Sequence, residues 1–183
     1  MTDDDTNRFR QMVLPHLDAA YNLARWLLVS PEDAEDAVQD SLLKAFKYVN
    51  SCRPETARNW ILGIVRNSCF DILATRKAKG MQGFADLNAD DEDGTIFQSD
   101  LFSTASDSPE TILLAKDQKA WVHAMIADLK PVYREIVVLR ELEELTYQEI
   151  AEITRLPLGT VMSRLSRARE QMLQHWKRHH DPA

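Results

Sequence analysis

TYQEIAEITRLPLGTVMSRLSRAR, residues 146–169, is the stretch whose reading decides the fold. Thr146 with Glu149 three residues on forms a capping box: the hydroxyl accepts from the amide of the third helical residue while that residue's carboxylate reaches back to the amide of the cap. That pair predicts a short helix from Thr146 to about Thr154. The segment Arg155-Leu156-Pro157-Leu158-Gly159 then reads as a tight turn containing a glycine, and a last helix is expected from Thr160 to about His179. A capped helix, a turn and a second helix rich in Arg and small polar residues is the arrangement of a DNA-binding helix-turn-helix. On the last helix Val161, Leu165, Ala168, Met172 and Trp176 recur at helical spacing and should pack inward. Thr160, Ser163, Arg164, Ser166, Arg167 and Gln171 are left on the flank and outer face. Arginine there can pair with guanine edges or phosphate, and Ser or Thr with either. From Arg155 to Arg178 six Lys or Arg residues face the single acid Glu170, a local excess that a phosphate backbone attracts.

Upstream, Ile112 to Leu129 and Val132 to Glu143 read as two amphipathic helices separated by Lys130-Pro131. Residues 81–112 differ in kind: eight acids (Asp86, Asp90, Asp91, Glu92, Asp93, Asp100, Asp107, Glu110) stand without a Lys or Arg, among Gly, Ser and Thr and without helical periodicity. This is the composition of a flexible acidic linker. The net charge of -7 at first argues against nucleic acid, but with the linker set aside 22 basic residues face 21 of the 29 acidic ones. Two units follow: 1–80 and 113–183, joined by 81–112.

The first unit carries three helical patterns. Phe9 to Val29 is interrupted by Pro15 and has Leu14, Leu17, Ala20, Tyr21, Ala24 and Leu27 or Leu28 on one stripe. Ser30-Pro31-Glu32-Asp33 opens the second, with Ser30 as cap and Pro31 in the first turn, and it runs to about Val49. Its stripe is Ala34, Val38, Leu42, Ala45 and Val49, and Glu32, Asp36, Gln39, Asp40 and Leu43 project from the other side. An acidic face with one exposed leucine suits a basic helical partner. The third pattern, from about Thr56 to Lys77, buries Ile61, Ile64, Val65, Ser68 or Cys69, Ile72 and Leu73. It sets Arg66, Asn67, Arg76, Lys77 and Lys79 against Asp71 alone, behind Trp60 and the polar loop Asn50 to Thr56. Basic side chains beside an aromatic suit a single strand and an extruded base; Trp60 as plain core is the competing reading.

Five glycines among many Ala, Leu, Glu and Arg favour an all-α fold over sheets. No apolar stretch approaches the roughly 18 to 20 residues that span a bilayer, and the start MTDDDTNRFR is acidic, so a cytoplasmic protein without membrane insertion is expected. Cys52 and Cys69 have neither disulfide nor zinc spacing. His16, His123, His175, His179 and His180 have no nucleophile, paired acid or metal spacing around them, so neither an enzyme nor a metal or other cofactor is expected.

Three segments together, DAEDAVQDSLLKAF (Asp33 to Phe46), NWILGIVRNSCFD (Asn59 to Asp71) and YREIVVLRELEELTYQEIAEITRLPLGTVMSRLSRAREQM (Tyr133 to Met172), resemble the second and fourth domains of the extracytoplasmic-function (ECF) sigma factors of the sigma-70 family, in order and separation. The resemblance implies a two-domain helical initiation factor that binds core RNA polymerase and directs it to promoters. It assigns Asp36, Gln39, Asp40 and Leu43 to the clamp helices of the polymerase's largest subunit, and makes the flap of the second-largest subunit a further partner. It assigns Asn50, Ser51, Cys52, Arg53, Trp60, Arg66, Asn67, Arg76 and Lys77 to the melted -10 element, and Thr160, Met162, Ser163, Arg164, Ser166 and Arg167 to the duplex -35 element, with Arg164 and Arg169 nearer to backbone or packing roles. An anti-sigma factor is the implied regulator. Met162 and Ser166 depart from the usual recognition helix, and Ala74 stands where relatives often carry Arg. The alternatives are an autonomous helix-turn-helix regulator that binds duplex without polymerase, and a helical adaptor with no DNA role.

Overall fold

The structure, a computed structural model, describes residues 3–79 and 121–180, side chains excepted at 179 and 180; the acidic stretch 81–112 and the start of the helix expected from Ile112 lie outside these. The described residues form helices and turns with no strand.

Asp3–Met12 forms α1, with three aspartates in a first turn whose exposed amides favour negative charge. The interruption expected at Pro15 is present: the proline, lacking an amide proton, falls in a 3-10 turn at Leu14–His16, and α2 restarts at Leu17–Leu28. The reorientation leaves Leu14 exposed, and Leu23 joins Ala20, Ala24, Leu27 and Leu28 in the core. Helix α3, Pro31–Lys47, begins as read: Ser30 accepts from the Asp33 amide at 3.3 Å. Val49, past its end, is nevertheless buried. Helix α4, Ala57–Ala78, buries Ile61, Leu62, Val65, Leu73 and both Ser68 and Cys69. Helices α2, α3 and α4 pack on one another, and α1 closes against α3 with Phe9 edge-on to Phe46 at 5.2 Å.

In the second group, residues 121–128 form α5 and Pro131–Val137 forms α6. Here the expected amphipathic helix Val132 to Glu143 gives way to something else. Every residue of α6 is buried, and the chain widens into a π turn at Val138–Leu142 in which the Glu143 amide reaches the Val138 carbonyl at 3.0 Å. Helix α6 is surrounded by α2, α5 and α8, so its polar residues need partners inside the protein. Arg134 supplies them: it donates to the carbonyls of Ile126 (3.1 Å), Leu129 (2.8 Å) and Ala127, closing the carbonyl end of α5, and to Trp26 on α2 at 2.9 Å. Burial lowers its pKa to about 10, still well above neutrality.

Helix α7, Tyr147–Thr154, and helix α8, Leu158–His180, follow among the described residues. The buried residues of both groups form one continuous hydrophobic cluster, with α4 against α7 and α2 against α6.

Candidate nucleic-acid and polymerase interfaces

The capping box at the head of α7 is complete. Glu149 amide reaches Thr146 Oγ1 at 3.3 Å, and Thr146 amide and hydroxyl donate to Glu149 Oε2 at 2.8 and 2.7 Å. Those bonds hold the Glu149 carboxyl below the usual glutamate range. Just upstream, Arg140 donates to the Leu145 carbonyl at 2.8 Å and lies 4.8 Å over the Tyr147 ring, which sets the approach to α7. The turn differs from its expected form. The left-handed residue is Arg155 (φ 57), with Leu156 amide returning to Ala151 carbonyl at 3.2 Å as in a Schellman-type ending. Gly159 stands inside the first turn of α8, which starts at Leu158 rather than Thr160.

On α8, Val161, Leu165 and Ala168 are buried and Met172 partly so, as the spacing requires, but Trp176 is 47% exposed. Met162, Ser163, Ser166 and Arg167 form an exposed outer strip, with Thr160 half-buried beside it. Ser163 Oγ donates to Thr160 carbonyl at 3.0 Å, keeping its lone pairs outward. Arg164 turns inward to lie 3.7 Å from Glu135, and Arg169 bonds Glu141 at 2.6 Å.

The residues of the acidic face on α3 lie as their spacing predicts: Asp36, Gln39 and Asp40 are exposed, and Leu43 is 72% exposed, high for a leucine. Asp40 pairs with Lys44 at 2.6 Å one turn on. Between α3 and α4 lies a cavity of about 500 Å³ lined by Asp33, Asp36, Asp40, Asp71, Arg76 and Lys79 among others.

The residues read as a single-strand surface are more dispersed. Ser51, Arg53, Asn67 and Lys77 are exposed. Asn50 donates to Asp5 Oδ1 on α1 at 2.9 Å, and Trp60 is half-buried against the core, between its two readings. Cys52 departs from a surface position: it is 2% exposed, and its carbonyl accepts from Arg8 at 2.9 Å. Burial raises the Cys52 thiol and pushes Cys69 up to about 12, so both are ordinary buried thiols. Arg76 pairs with Asp33 on α3. Arg66 bonds Glu135 of the second helical group, Nε to Oε2 at 2.8 Å and Nη2 to Oε1 at 3.3 Å.

Sequence reasoning missed Arg58, Arg134 and Glu135. Arg58 binds the Glu143 carboxylate at 2.8 Å and its carbonyl at 2.9 Å. A charged residue inside the apolar run Val132 to Leu139 was the available signal for Arg134 and Glu135, since such a residue must find partners.

A helix-turn-helix carried behind a second helical unit with an acidic exposed face is the architecture of a sigma-70-type initiation factor. Residues 12–79 match the family Sigma-70 region 2, and residues 119–172 match Sigma-70, region 4. RNA polymerase sigma-H factor of Pseudomonas aeruginosa is 30% identical over 167 residues, 91% of this chain and 84% of that protein. The ECF RNA polymerase sigma-E factor of Haemophilus influenzae is 34% identical over 145 residues, 79% of this chain and 75% of its own. Among solved structures, the sigma factor RpoE in complex with the anti-sigma factor NepR from Bartonella quintana has a similar fold, with a TM-score of 0.67 and 24% identity over 95% of this chain and 98% of that one. The chain belongs to the ECF sigma factors of the sigma-70 family, transcription initiation factors and not enzymes. Among the described residues no helix is long and apolar enough to cross a membrane.

Proposed function

We propose that the chain docks on the clamp helices of the polymerase's largest subunit through Asp36, Gln39, Asp40 and Leu43 of α3. A 72% exposed leucine inside a carboxylate face is the observation that carries this reading: an apolar anchor ringed by charge suits a basic partner helix and has no role in the chain's own core. The units 1–80 and 113–183 act as domains 2 and 4, joined by the acidic linker 81–112. Domain 4 contacts the flap of the second-largest subunit.

Met162, Ser163, Ser166 and Arg167, with Thr160 at the flank, read the -35 duplex. The exposed strip on α8 supports this, because it offers acceptors, donors and one guanidinium on a single helical face. The loop Asn50 to Arg53 and the helix carrying Trp60, Arg66, Asn67, Arg76 and Lys77 face the melted -10 strand. Cys52 acts there through the backbone that Arg8 holds. An anti-sigma factor restrains the chain in the cytoplasm, a reading supported by a relative's fold being known in such a complex.

Run-off transcription on fragmented genomic DNA, with core polymerase alone and with the purified chain added, tests the whole reading. New start sites sharing spaced -35 and -10 elements are expected. A chain that shifts duplex DNA without polymerase and yields no start site would instead be an autonomous regulator.

A further inference from the structure

Glu135 is fully buried, and two arginines from different parts of the chain converge on it. Arg66, from α4, holds both carboxylate oxygens by hydrogen bonds. Arg164, from α8 and thus from the same helical group as Glu135, stops 3.7 Å from Oε1, the oxygen that Arg66 Nη2 occupies. That distance is an ion pair without a hydrogen bond. Arg66 is also braced in place, its guanidinium 4.3 Å over the Phe70 ring.

A carboxylate inside a protein cannot be left alone, because the desolvation that burial imposes is offset only while a cation bonds it. Burial pushes the Glu135 carboxyl up, and both Arg66 and Arg164 pull it down. If α4 lifts away from α7 and takes Arg66 with it, Glu135 does not lose its counter-charge. Arg164 already lies beside it and needs only a side-chain rotation to form the missing bond.

We propose that Glu135 is an exchange point between a closed and an open arrangement of the two helical units, bonded to Arg66 when closed and to Arg164 when open. Opening is then a swap of partners and not the rupture of a buried pair, which lowers its cost. Among the described residues, other links across the same boundary include Arg58 to Glu143, Asn59 to Glu149, Arg134 to the Trp26 carbonyl, and Trp26 stacked on His123 at 4.8 Å. In the closed arrangement α4 is held against α7 while Asp36, Gln39, Asp40 and Leu43 stay exposed. Polymerase docking can therefore precede release of the helix that faces the -10 strand; this functional consequence rests on the reading under Proposed function, whereas the exchange itself does not.

The test is a thermodynamic cycle on the full chain without polymerase or DNA, so that its failure is distinct from failure of the promoter reading, which the run-off assay judges. Thermal melting is recorded for the wild type, Arg66→Ala, Arg164→Ala and the double variant. The exchange predicts non-additivity: Arg164→Ala lowers Tm about twice as much or more when Arg66 is absent as when it is present. Small-angle scattering accompanies it, with Arg66→Ala expanded relative to wild type and Arg164→Ala as compact as wild type. Gly63→Leu provides an independent opening, since a Cβ at Gly63 already comes within 3.9 Å of the Ile153 carbonyl and a longer side chain pushes α7 away. Arg164→Ala should be as damaging in that background as in Arg66→Ala. Additive Tm losses, or an Arg164→Ala chain that expands like Arg66→Ala, would overturn the proposal, because Arg164 would then be one more strut of the closed form.

Discussion

Helices α4 and α8 have the same outline in sequence: an apolar stripe, basic residues on the remaining faces, and few acids. In the folded chain they diverge. On α8, Arg164 and Arg169 turn to Glu135 and Glu141, while Met162, Ser163, Ser166 and Arg167 face outward in one strip. On α4, Arg58, Arg66 and Arg76 each meet a carboxylate supplied by another element, Glu143, Glu135 and Asp33 respectively. A basic helix is thus presented for nucleic acid, or restrained from it, according to where the acids of neighbouring helices fall. Helix periodicity alone does not carry that information, because it describes one helix at a time.

Removing the acid from this arrangement should have the largest effect. Glu135→Ala leaves Arg66 and Arg164 without their shared acceptor, and about 3 kcal/mol of stability should be lost, the low end of the range for a broken buried pair because both guanidiniums keep some contact with water. Urea unfolding of the full chain measures this; a midpoint unchanged from wild type would mean that the pair is not structural.

Next in size is a change on the exposed strip of α8. Arg167→Ala should leave the fold intact and reduce initiation at promoters carrying the -35 element by roughly tenfold or more, as expected for one base contact of about 1–3 kcal/mol. Start-site competition between matched promoters with intact and scrambled -35 elements is the measurement, and equal loss on both would reassign Arg167 to phosphate.

A smaller effect tests the scaffold beneath α8. Thr146→Ala should cost about 1 kcal/mol by removing the cap of α7. Since the Glu149 carboxyl is held below its ordinary range, its folded pKa lies under the unfolded one. The associated stability is therefore fully present above the ordinary glutamate range and is lost as pH falls below that range through the lower folded value. Melting curves from pH 7 to pH 3 should show that loss in the wild type and a shallower one in Thr146→Ala.

The smallest effect on stability belongs to Leu43→Ala on α3. An exposed side chain off the core should change unfolding by less than about 0.5 kcal/mol. Affinity for core polymerase should nevertheless fall, as a binding titration would register. A variant that binds core polymerase as the wild type does would remove Leu43 from the docking surface.

Much of the local structure was legible in the residues. Ser30 before Pro31 and Thr146 before Glu149 marked where α3 and α7 begin, because a capping oxygen must stand at a definite offset from the amides it satisfies. Boundaries set by less local causes were missed. The start at Leu158 with the left-handed turn at Arg155, and the π turn after α6, depend on where the neighbouring helices lie. So does Trp176, which continues the apolar spacing of α8 yet is 47% exposed.

By itself the sequence determined where the capped helices α3 and α7 begin, the inward stripe Val161, Leu165 and Ala168 of α8, and that the outer strip of α8 suits a DNA groove, since capping and periodicity are short-range properties of the chain. Only the tertiary structure decided that Arg66 is bonded to Glu135 and that Arg164 waits at the same oxygen. Those residues are 69 and 29 positions from the carboxylate, and a buried charge selects its partner by proximity in space.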